Sequence, residues 1–492
     1  MQARLPAIAA LADCAPAASR WAAALDRGPA WWSNRGLTSA TISSMSLGRG
    51  QSEPAPPSVP QLVLSMHCDQ PMAAPARYVL TGLDEVRFGR GPARVERDPV
   101  ARRLIVNVPD PRMSAAHGRL VRQGVAWAVD DATSKNGCVL NGALVRQGVL
   151  GDGDVLELGH TIFVFQVAQE PPGPRDVSAD DLPAPTPDLA TFSGELAASF
   201  ARLERIAETD VPVLILGETG TGKELIARAL HARSGRPGPF GAINCGALPE
   251  TLVEAELFGV RKGAFSGAVA DRVGLIRGSD HGTVFLDEIA ELRLSSQAVM
   301  LRVLQEHEVV PLGDTRAIKV DVRFCAATHR RLDELVVGGE FRPDLYARLF
   351  GFTIELLPLR RRRCDIGILV RTLLGRRPGG ENARFTPAAA RLLHTHDWPY
   401  NVRELERALA PAVALAEGRA IDVADLPLER GTSAARPDGE DDDDDALRAK
   451  LTGLLEAHRG NIAAVARAVG KDRMQVHRWV RRFAIDLRTF RR

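Results

Sequence analysis

The chain has 492 residues, 45% of them hydrophobic, which is enough to build the cores of about three domains. Its 63 Lys and Arg residues nearly balance its 61 Asp and Glu residues, and the formal net charge is +2. This balance excludes nucleic-acid binding through overall charge, so any DNA affinity must come from a local basic patch. No apolar run approaches the ~18 residues that a membrane span requires, and the six widely spaced cysteines show no zinc-binding pattern. We therefore expect a multidomain cytoplasmic protein with no membrane partner.

Changes in composition along the chain suggest where its domains begin and end. Short alternating apolar segments with Asn-Gly turns are typical of a β-sandwich, whereas apolar strands that alternate with helical stretches predict a parallel sheet covered by helices. Pro-rich and acidic stretches are typical of linkers. The expected segments are a disordered tail (1–59), a β-sandwich (60–168), a linker (169–189), an α/β domain (190–428), an acidic linker (429–445) and an all-α segment (446–492).

A glycine-rich loop with the pattern of a phosphate-binding loop follows the apolar strand VPVLIL. Its glycines let backbone N–H groups point at phosphate oxygens near the start of a helix, and Lys223 would lie on the β- and γ-phosphates. The general pattern ends in a Ser or Thr that binds magnesium, but Glu224 stands at that position. The residues expected to bind ATP here are Gly217, Glu218, Thr219, Gly220, Thr221, Gly222, Lys223 and Glu224.

Two further strands end in polar residues that would complete a nucleotide site. The strand GTVFLDEI ends in Asp287 and Glu288, which suit a magnesium ligand and a base that activates water. The strand VDVRFCAATH ends in Thr328 and His329, where a side chain could sense the γ-phosphate, although a lone His is more often structural. Together with the loop, these strands predict an ATPase that uses ATP and Mg²⁺.

The motif GAFSGA, with ELFG before it and VFLDEI after it, resembles the sigma-54-dependent transcriptional activators. The resemblance covers about half of the chain and includes Glu224, because GE(S/T)GTGKE is that family's form of the phosphate loop. It implies an AAA+ core with a helical lid and a mobile loop that touches sigma-54. Phe265 would be the apolar anchor of the loop, and Ser266 replaces the usual Thr. The expected contact residues are Gly263, Ala264, Phe265, Ser266, Gly267 and Ala268.

The same resemblance assigns roles to residues in NCGAL, FRPDLYARL and WPYNVREL. Arg342 and Arg348 are similar to arginine fingers that act in a neighbouring subunit's site, which implies a ring-shaped homo-oligomer, usually a hexamer. Arg403 resembles the sensor arginine of the lid, and Asn244 resembles the residue that holds Glu288 away from its water. Departures from the family's usual Gly, acidic residue and PLRER stand at Tyr400, Cys364 and PLRRR.

The amino-terminal sandwich is similar to an FHA domain, a module that binds phosphothreonine peptides, at FGRG, RMSAAH and DDATSKNGCVLNG. The resemblance implies a phosphothreonine-containing protein or a Ser/Thr kinase as partner, and a degenerate scaffold is the alternative. His117 is expected to brace a loop rather than to touch the peptide. The expected phosphopeptide contacts are Arg90, Ser114, Lys135, Asn136 and Asn141.

Three helical stripes of apolar residues follow Asp445, and Gly470 separates the second from the third. GNIAAVARAVG resembles the Fis-type helix-turn-helix of the same family, which implies binding to double-stranded enhancer DNA. Basic and polar side chains occupy the other faces of the last helix. The expected DNA contacts are Arg473, Gln475, His477, Arg478, Arg481 and Arg482.

The sequence thus predicts an FHA-like β-sandwich, an α/β AAA+ P-loop ATPase core with a helical lid, and an all-α helix-turn-helix. The predicted function is a regulator that binds upstream DNA and hydrolyses ATP in a ring to remodel the sigma-54 RNA polymerase holoenzyme for open-complex formation. Phosphothreonine recognition would control it. Two alternatives are a non-enzymatic DNA-binding repressor or scaffold with an assembling AAA+ core, and an AAA+ remodeller of another substrate. Lys223, Asp287 and Glu288 argue against the first, and GAFSGA argues against the second.

Overall fold

The computed structural model describes residues 58–131, 134–169, 175–184, 186–247, 249–265 and 268–428, with isolated positions at 452, 454, 455 and 458. The chain divides into two compact units, residues 1–426 and 427–492, and every element named below belongs to the first. Residues 1–57 of the predicted disordered tail (1–59) lie outside the described residues, as do the predicted DNA-contact residues, Ser266 and Gly267. The last two residues of that predicted tail, Ser58 and Val59, instead begin strand β1.

The amino-terminal part of the structure is a sandwich of two β-sheets. One sheet has the strand order β13-β2-β1-β12-β11-β8-β9, and the other has the order β10-β7-β6-β3-β5-β4. The strands are β1 (Ser58–His67), β2 (Ala76–Val79), β3 (Glu85–Arg90), β4 (Arg94–Asp98), β5 (Arg103–Val108), β6 (Gly118–Gln123), β7 (Ala126–Asp130), β8 (Cys138–Leu140), β9 (Ala143–Val145), β10 (Gln147–Leu150), β11 (Val155–Leu158), β12 (Thr161–Gln169) and β13 (Asp176–Ser178).

Alternation of apolar and polar residues explains how these strands enclose a core. In β5, Leu104, Val106 and Val108 are buried, whereas the residues between them are partly exposed. Because successive side chains of a strand point to opposite faces, this pattern buries one face and leaves the other near solvent. The buried faces of the two sheets meet around large side chains such as Trp127 and Phe163.

Part of the predicted linker belongs to the sandwich. The extended-linker prediction for 169–189 differs from the structure because β13 pairs antiparallel with β2, with Asp176 opposite Tyr78. The edge of a sheet carries unpaired backbone N–H and C=O groups, and β13 satisfies those of β2. The sandwich therefore ends later in the chain than its composition suggests.

The second part of the structure is a five-stranded parallel sheet with helices, in the order β15-β18-β21-β14-β22. This confirms the parallel sheet predicted for 190–428. Its elements are α1 (Gly194–Ala207), β14 (Val213–Gly217), α2 (Lys223–Arg233), β15 (Phe240–Asn244), α3 (Glu250–Phe258), β16 (Gly259–Val260), β17 (Arg272–Val273), α4 (Leu275–Gly278), β18 (Thr283–Asp287), α5 (Leu294–Glu306), β19 (Glu308–Val309), β20 (Ile318–Lys319), β21 (Arg323–Thr328), α6 (Leu332–Val337), α7 (Pro343–Leu349) and β22 (Phe352–Leu356).

The parallel arrangement brings four predicted site residues to one edge of the sheet. Gly217, Asn244, Asp287 and Thr328 are the last residues of β14, β15, β18 and β21. Carboxyl ends of parallel strands lie at the same edge, where ligands of open α/β sheets bind. The strand pattern alone therefore positions the candidate site.

A helical region follows the sheet and carries the segment that resembles the lid. Its main helices are α8 (Ile366–Gly375), α9 (Pro387–Thr395) and α10 (Asn401–Ala416). Thr386 caps α9, because its hydroxyl accepts a hydrogen bond from the backbone N–H of Ala389 at 3.2 Å. Among the described residues, no helix is both long enough and apolar enough to span a bilayer.

Candidate nucleotide site and associated surfaces

The glycine-rich loop between β14 and α2 has the backbone that the sequence predicts. Gly220 and Gly222 have φ angles of 80° and 105°, in the left-handed region that glycine adopts without strain. A side chain on Gly220 would also overlap the backbone carbonyl of Tyr400. Lys223 is only 7% exposed, and its Nζ donates to the carbonyl of Gly217 at 3.0 Å. The loop therefore holds a buried cation against its own backbone.

Two carboxylates at the end of β18 lie beside this lysine. Oε1 of Glu288 is 3.3 Å from Nζ of Lys223. Asn244 donates through its side-chain amide to Oδ2 of Asp287 at 3.1 Å. The structure thus pairs Asn244 with Asp287, whereas the sequence-based prediction paired it with Glu288. The reason is register, since Asn244 and Asp287 are opposite each other in the parallel ladder of β15 and β18.

His329 fixes the second oxygen of Glu288. Its Nδ1 lies 2.8 Å from Oε2, and its backbone N–H lies 3.4 Å from the same atom. Since an ionised carboxylate only accepts hydrogen bonds, Nδ1 of His329 is the donor. Thr328 is buried, and its hydroxyl accepts a bond from the backbone N–H of Arg330 at 3.0 Å. Of the pair predicted on β21, His329 therefore touches the candidate base.

The surroundings of the two acids shift their pKa values in opposite directions. Burial raises the pKa of Asp287, and the negative charge of Glu288 raises it further. Burial also disfavours the charged form of Glu288, but the charge of Lys223 and the hydrogen bond from His329 outweigh it and lower its pKa. Glu288 is therefore ionised near neutral pH, as a base must be.

The outer side of the phosphate loop is held by the helical region, a contact that sequence reasoning missed. Arg360 donates two hydrogen bonds to the carboxylate of Glu218, at 2.7 and 2.9 Å. Asn401 donates to the same carboxylate at 3.1 Å and to the carbonyl of Thr219 at 3.0 Å. Tyr400, the departure from the family's usual Gly, has an ordinary φ of −108° and an exposed side chain, so the backbone accommodates it.

Other predicted nucleotide-site residues lie at the periphery. Glu224 forms an exposed ion pair with Arg228 at 2.7 Å. Arg342 immediately precedes α7 and pairs with Asp344 at 2.7 Å, and Arg348 is exposed on the same helix. Neither Arg342 nor Arg348 forms a hydrogen bond or ion pair with Lys223, Asp287 or Glu288 in the described part of the chain. Arg403 is exposed, and its Cβ lies 3.0 Å from the position of a Cβ built on Gly220.

The segment with the GAFSGA motif is a loop on a short two-stranded stem. β16 and β17 pair antiparallel, and Arg261 bridges the base of the loop to Asp271 at 2.6 Å and to Asp314 at 2.8 Å. Gly263 has a φ of 84°, and its N–H donates to the carbonyl of Ala268 at 2.8 Å. Phe265 is 39% exposed. An aromatic side chain is thus presented on a braced loop.

Four of the five predicted phosphopeptide residues lie close together, at the end of β3 and on two neighbouring loops. The backbone N–H of Arg90 donates to the carbonyl of Ser114 at 2.9 Å, and the hydroxyl of Ser114 accepts from the backbone N–H of Lys135 at 3.3 Å. Asn136 donates through its amide to the carbonyl of Arg112 at 2.7 Å. The structure therefore brings Arg90, Ser114, Lys135 and Asn136 together.

His117 braces these loops from below, which confirms its predicted structural role. It is 1% exposed. Nδ1 accepts from the backbone N–H of Ser114 at 3.0 Å, so Nε2 carries the proton and donates to the carbonyl of Gly137 at 3.0 Å. Asn141 instead binds Asp154 and the N–H of Val155, so its amide holds the β8–β9 turn in place.

Comparison with known proteins connects these regions to families. The chain matches the sigma-54 interaction domain at residues 189–355, an AAA+ ATPase lid domain at 360–442 and the FHA domain at 86–159. It is 43% identical over 280 residues to the Sigma54-dependent transcriptional regulator SfnR of Pseudomonas fluorescens, covering 54% of this chain and 76% of that protein. The chain belongs to the sigma-54-dependent transcriptional regulators.

Other relatives of this regulator extend beyond the shared region. The chain is 42% identical over 339 residues to the acetoin catabolism regulatory protein of Cupriavidus necator. This match covers 65% of this chain and 50% of that protein, so the chain spans about half the length of this relative. Among solved structures, NtrX from Brucella abortus in complex with ADP is 30% identical, with a TM-score of 0.46, and the match covers 60% of this chain and 70% of that one.

Proposed function

We propose that this regulator is a cytoplasmic ATPase that assembles into a ring. Its GAFSGA loop contacts sigma-54, and ATP hydrolysis remodels the sigma-54 holoenzyme while the regulator is bound to an upstream DNA site. The observation that carries the proposal is the meeting of buried Lys223 with Asp287 and Glu288 at the edge of the sheet. A cation beside a phosphate-binding loop and two acids at the neighbouring strand end are the parts that phosphoryl transfer to water requires.

The loop between β14 and α2 fits the triphosphate of ATP. Its left-handed glycines leave backbone N–H groups free of side-chain crowding, and Lys223 supplies the counter-charge for the phosphates. Magnesium fits Asp287, because Mg²⁺ uses one or two protein carboxylates and takes its other ligands from phosphate and water. Magnesium would neutralise charge on the phosphate oxygens.

Glu288 is the proposed base that activates the attacking water. Its carboxylate is ionised but is held by Lys223 and His329. To accept a proton from water, one oxygen must give up its present partner. We therefore infer that His329 contributes to restraining the base, a role that the family resemblance implies for Asn244.

The arginine fingers and the loop link hydrolysis to assembly and to sigma-54. Among the described residues, neither Arg342 nor Arg348 forms a hydrogen bond or ion pair with Asp287 or Glu288, which supports a role in a neighbouring subunit's site. The loop that bears Phe265 is braced by Arg261 and its two aspartates, so movement of the core can be passed to an exposed aromatic ring. This arrangement supports the proposed ring of subunits, which we expect to be a hexamer.

We assign control of the ATPase to the FHA domain and binding to DNA to the carboxyl-terminal segment. Arg90, Ser114 and Lys135 lie within one cluster and offer a guanidinium, a hydroxyl and an ammonium group to a phosphate dianion. The proposed partner is a phosphothreonine-containing protein, modified by a Ser/Thr kinase. The helix-turn-helix over 446–492 would bind enhancer DNA, a proposal that stands on the sequence.

The competing function is a DNA-binding repressor or scaffold that does not hydrolyse ATP. Measuring ATP turnover with and without sigma-54 separates the two. We expect the native chain to turn over ATP, Lys223→Ala to lose turnover, and the exposed control Lys319→Ala to retain it. If the native chain and Lys319→Ala hydrolyse no more ATP than Lys223→Ala, the protein is a scaffold and our proposal is wrong.

A further inference from the structure

The FHA sandwich and the helical lid are joined by a buried chain of hydrogen bonds. Nδ1 of His394 donates to the carbonyl of Ala390 at 2.7 Å, so its Nε2 is the acceptor. The hydroxyl of Ser65 on β1 donates to Nε2 at 2.8 Å and accepts from the backbone N–H of Gly367 at 3.2 Å. Each polar group in this chain of hydrogen bonds has a partner, so the buried groups stabilise the contact between the sandwich and the lid.

Asp365 forms a second buried contact, with the segment that follows the sandwich. Its two oxygens accept hydrogen bonds from the hydroxyl of Thr191 and from the backbone N–H of Phe192, both at 2.7 Å. Next to it, Cys364 packs in an apolar cluster with Val63 of the sandwich and Phe192. Cys364 is the departure from the family's usual acid, and a neutral side chain suits this apolar contact.

The same stretch of chain grips the phosphate loop a few residues earlier. Arg360 binds the carboxylate of Glu218 with two hydrogen bonds, and Arg362 donates to the carbonyl of Thr221 at 3.1 Å. We call residues 359–367 the lid strut. One end of the lid strut contacts the loop that binds ATP, and the other end contacts the FHA sandwich.

We propose that the lid strut makes the FHA domain a positioning element of the ATP site, with Arg360 and Arg362 as positioning residues whose placement depends on the docked sandwich. The inference rests on the proposed binding and hydrolysis of ATP. The strut is nine residues long and is buried at Cys364 and Asp365, so a shift at Gly367 displaces the arginines. In the part of the chain that the structure describes, no hydrogen bond or ion pair joins Lys223, Asp287 or Glu288 to the strut's sandwich end. Loss of docking should therefore weaken the hold on ATP more than it slows turnover.

Gly367→Ala tests this coupling, because a Cβ at this position would overlap the backbone carbonyl of Ser65. The matched control is Gly375→Ala on the same helix, where the nearest atom outside the helix is the Met72 methyl group, 3.5 Å away. We expect the KM for ATP to rise roughly five- to tenfold in Gly367→Ala, in the usual range for coupled sites, with kcat near that of the native protein. Gly375→Ala should keep the native KM.

A milder variant covers the case in which Gly367→Ala does not fold. Ser65→Ala removes the central hydroxyl without adding an atom, and it should raise the KM in the same direction. If Arg360 acts on the same path, the effects of Ser65→Ala and Arg360→Lys should be less than additive. A native KM in both docking variants, or in Ser65→Ala alone if the other is unfolded, overturns the proposal. If the native chain does not hydrolyse ATP, the proposed function fails instead. The Kd for a fluorescent ATP analogue then tests the strut, and a native Kd in the docking variants overturns the proposal.

Discussion

Nδ1 of His329 lies 2.8 Å from Oε2 of Glu288, while Oε1 of the same carboxylate lies 3.3 Å from Nζ of Lys223. Both oxygens of the proposed base are therefore engaged. Glu288 also has a φ of 51°, a left-handed conformation that a residue with a side chain adopts only when its surroundings impose it. The carboxylate is fixed at the strand end, and its release would permit water activation.

Glu288→Gln should lose hydrolysis while it retains ATP binding. The amide cannot accept the proton of the attacking water, but Lys223 and the phosphate loop are unchanged. We expect turnover to fall by about 100-fold or more, as for the removal of a general base. Steady-state turnover and fluorescent-nucleotide titration measure the two effects. The neighbouring acid provides the control, since Glu291→Gln should behave as the native protein does. Turnover within a few-fold of native in Glu288→Gln would remove this residue from the role of base.

Mixed rings test whether Arg342 acts across a subunit boundary. In its own subunit this side chain pairs with Asp344 and not with the acids of the site. Arg342→Ala subunits still carry Glu288, and Glu288→Gln subunits still carry the finger. Mixing the two inactive proteins should restore part of the ATP turnover. If mixed rings form, as mass spectrometry of the assemblies can show, and yet remain inactive, the finger does not act in trans.

Arg90→Ala should weaken binding of a phosphothreonine peptide with little effect on folding. The guanidinium is exposed, and charge-assisted bonds to phosphate are the strong contacts of such a site. We expect a loss of about 10- to 100-fold in affinity by calorimetry. Arg122→Ala, at the opposite end of the sheet beside Asp84, is the matched arginine control. Equal affinities of both variants and the native protein would mean that the sandwich recognises something else.

Local sequence patterns predicted those parts of the structure that depend on near neighbours. The Asn141-Gly142 pair predicts a tight hairpin, and β8 and β9 are joined at these residues with φ angles of 50° and 84°. The glycine spacing after β14 likewise requires the loop that surrounds Lys223. These features follow from backbone geometry within a few residues.

Contacts between distant residues could not be read from the sequence. Ser65 and His394 are 329 positions apart, and neither residue type signals a partner. The hydrogen bond from Asn244 to Asp287 could not be predicted either, because Asp287 and Glu288 are adjacent in sequence and only the register of β15 against β18 selects between them. The β13 pairing was missed because Asp-Val-Ser is polar and short, and its stability comes from the edge of β2.

His394 should make the contact between sandwich and lid sensitive to acid. Burial lowers its pKa from an ordinary 6.5 to about 4. Between these values the unfolded chain binds a proton that the folded chain does not, so stability falls as the pH falls from 6.5 towards 4. The contribution is on the order of 3 kcal/mol. Thermal unfolding measured at several pH values should show a smaller acid-induced drop in midpoint for His394→Gln, whose amide does not titrate. Parallel pH profiles for the two proteins would contradict this effect.

The most direct test of the whole account is open-complex formation by Phe265→Ala, measured together with ATP turnover. The aromatic ring is exposed on its braced loop and lies outside the phosphate site, so its removal should leave ATP binding and hydrolysis intact. Open complexes on a sigma-54 promoter should nevertheless fail to form, because the apolar contact with sigma-54 is lost. Val273→Ala, on the stem strand β17 and also exposed, should support both reactions. Normal open-complex formation by Phe265→Ala would contradict the claim that this loop couples hydrolysis to sigma-54.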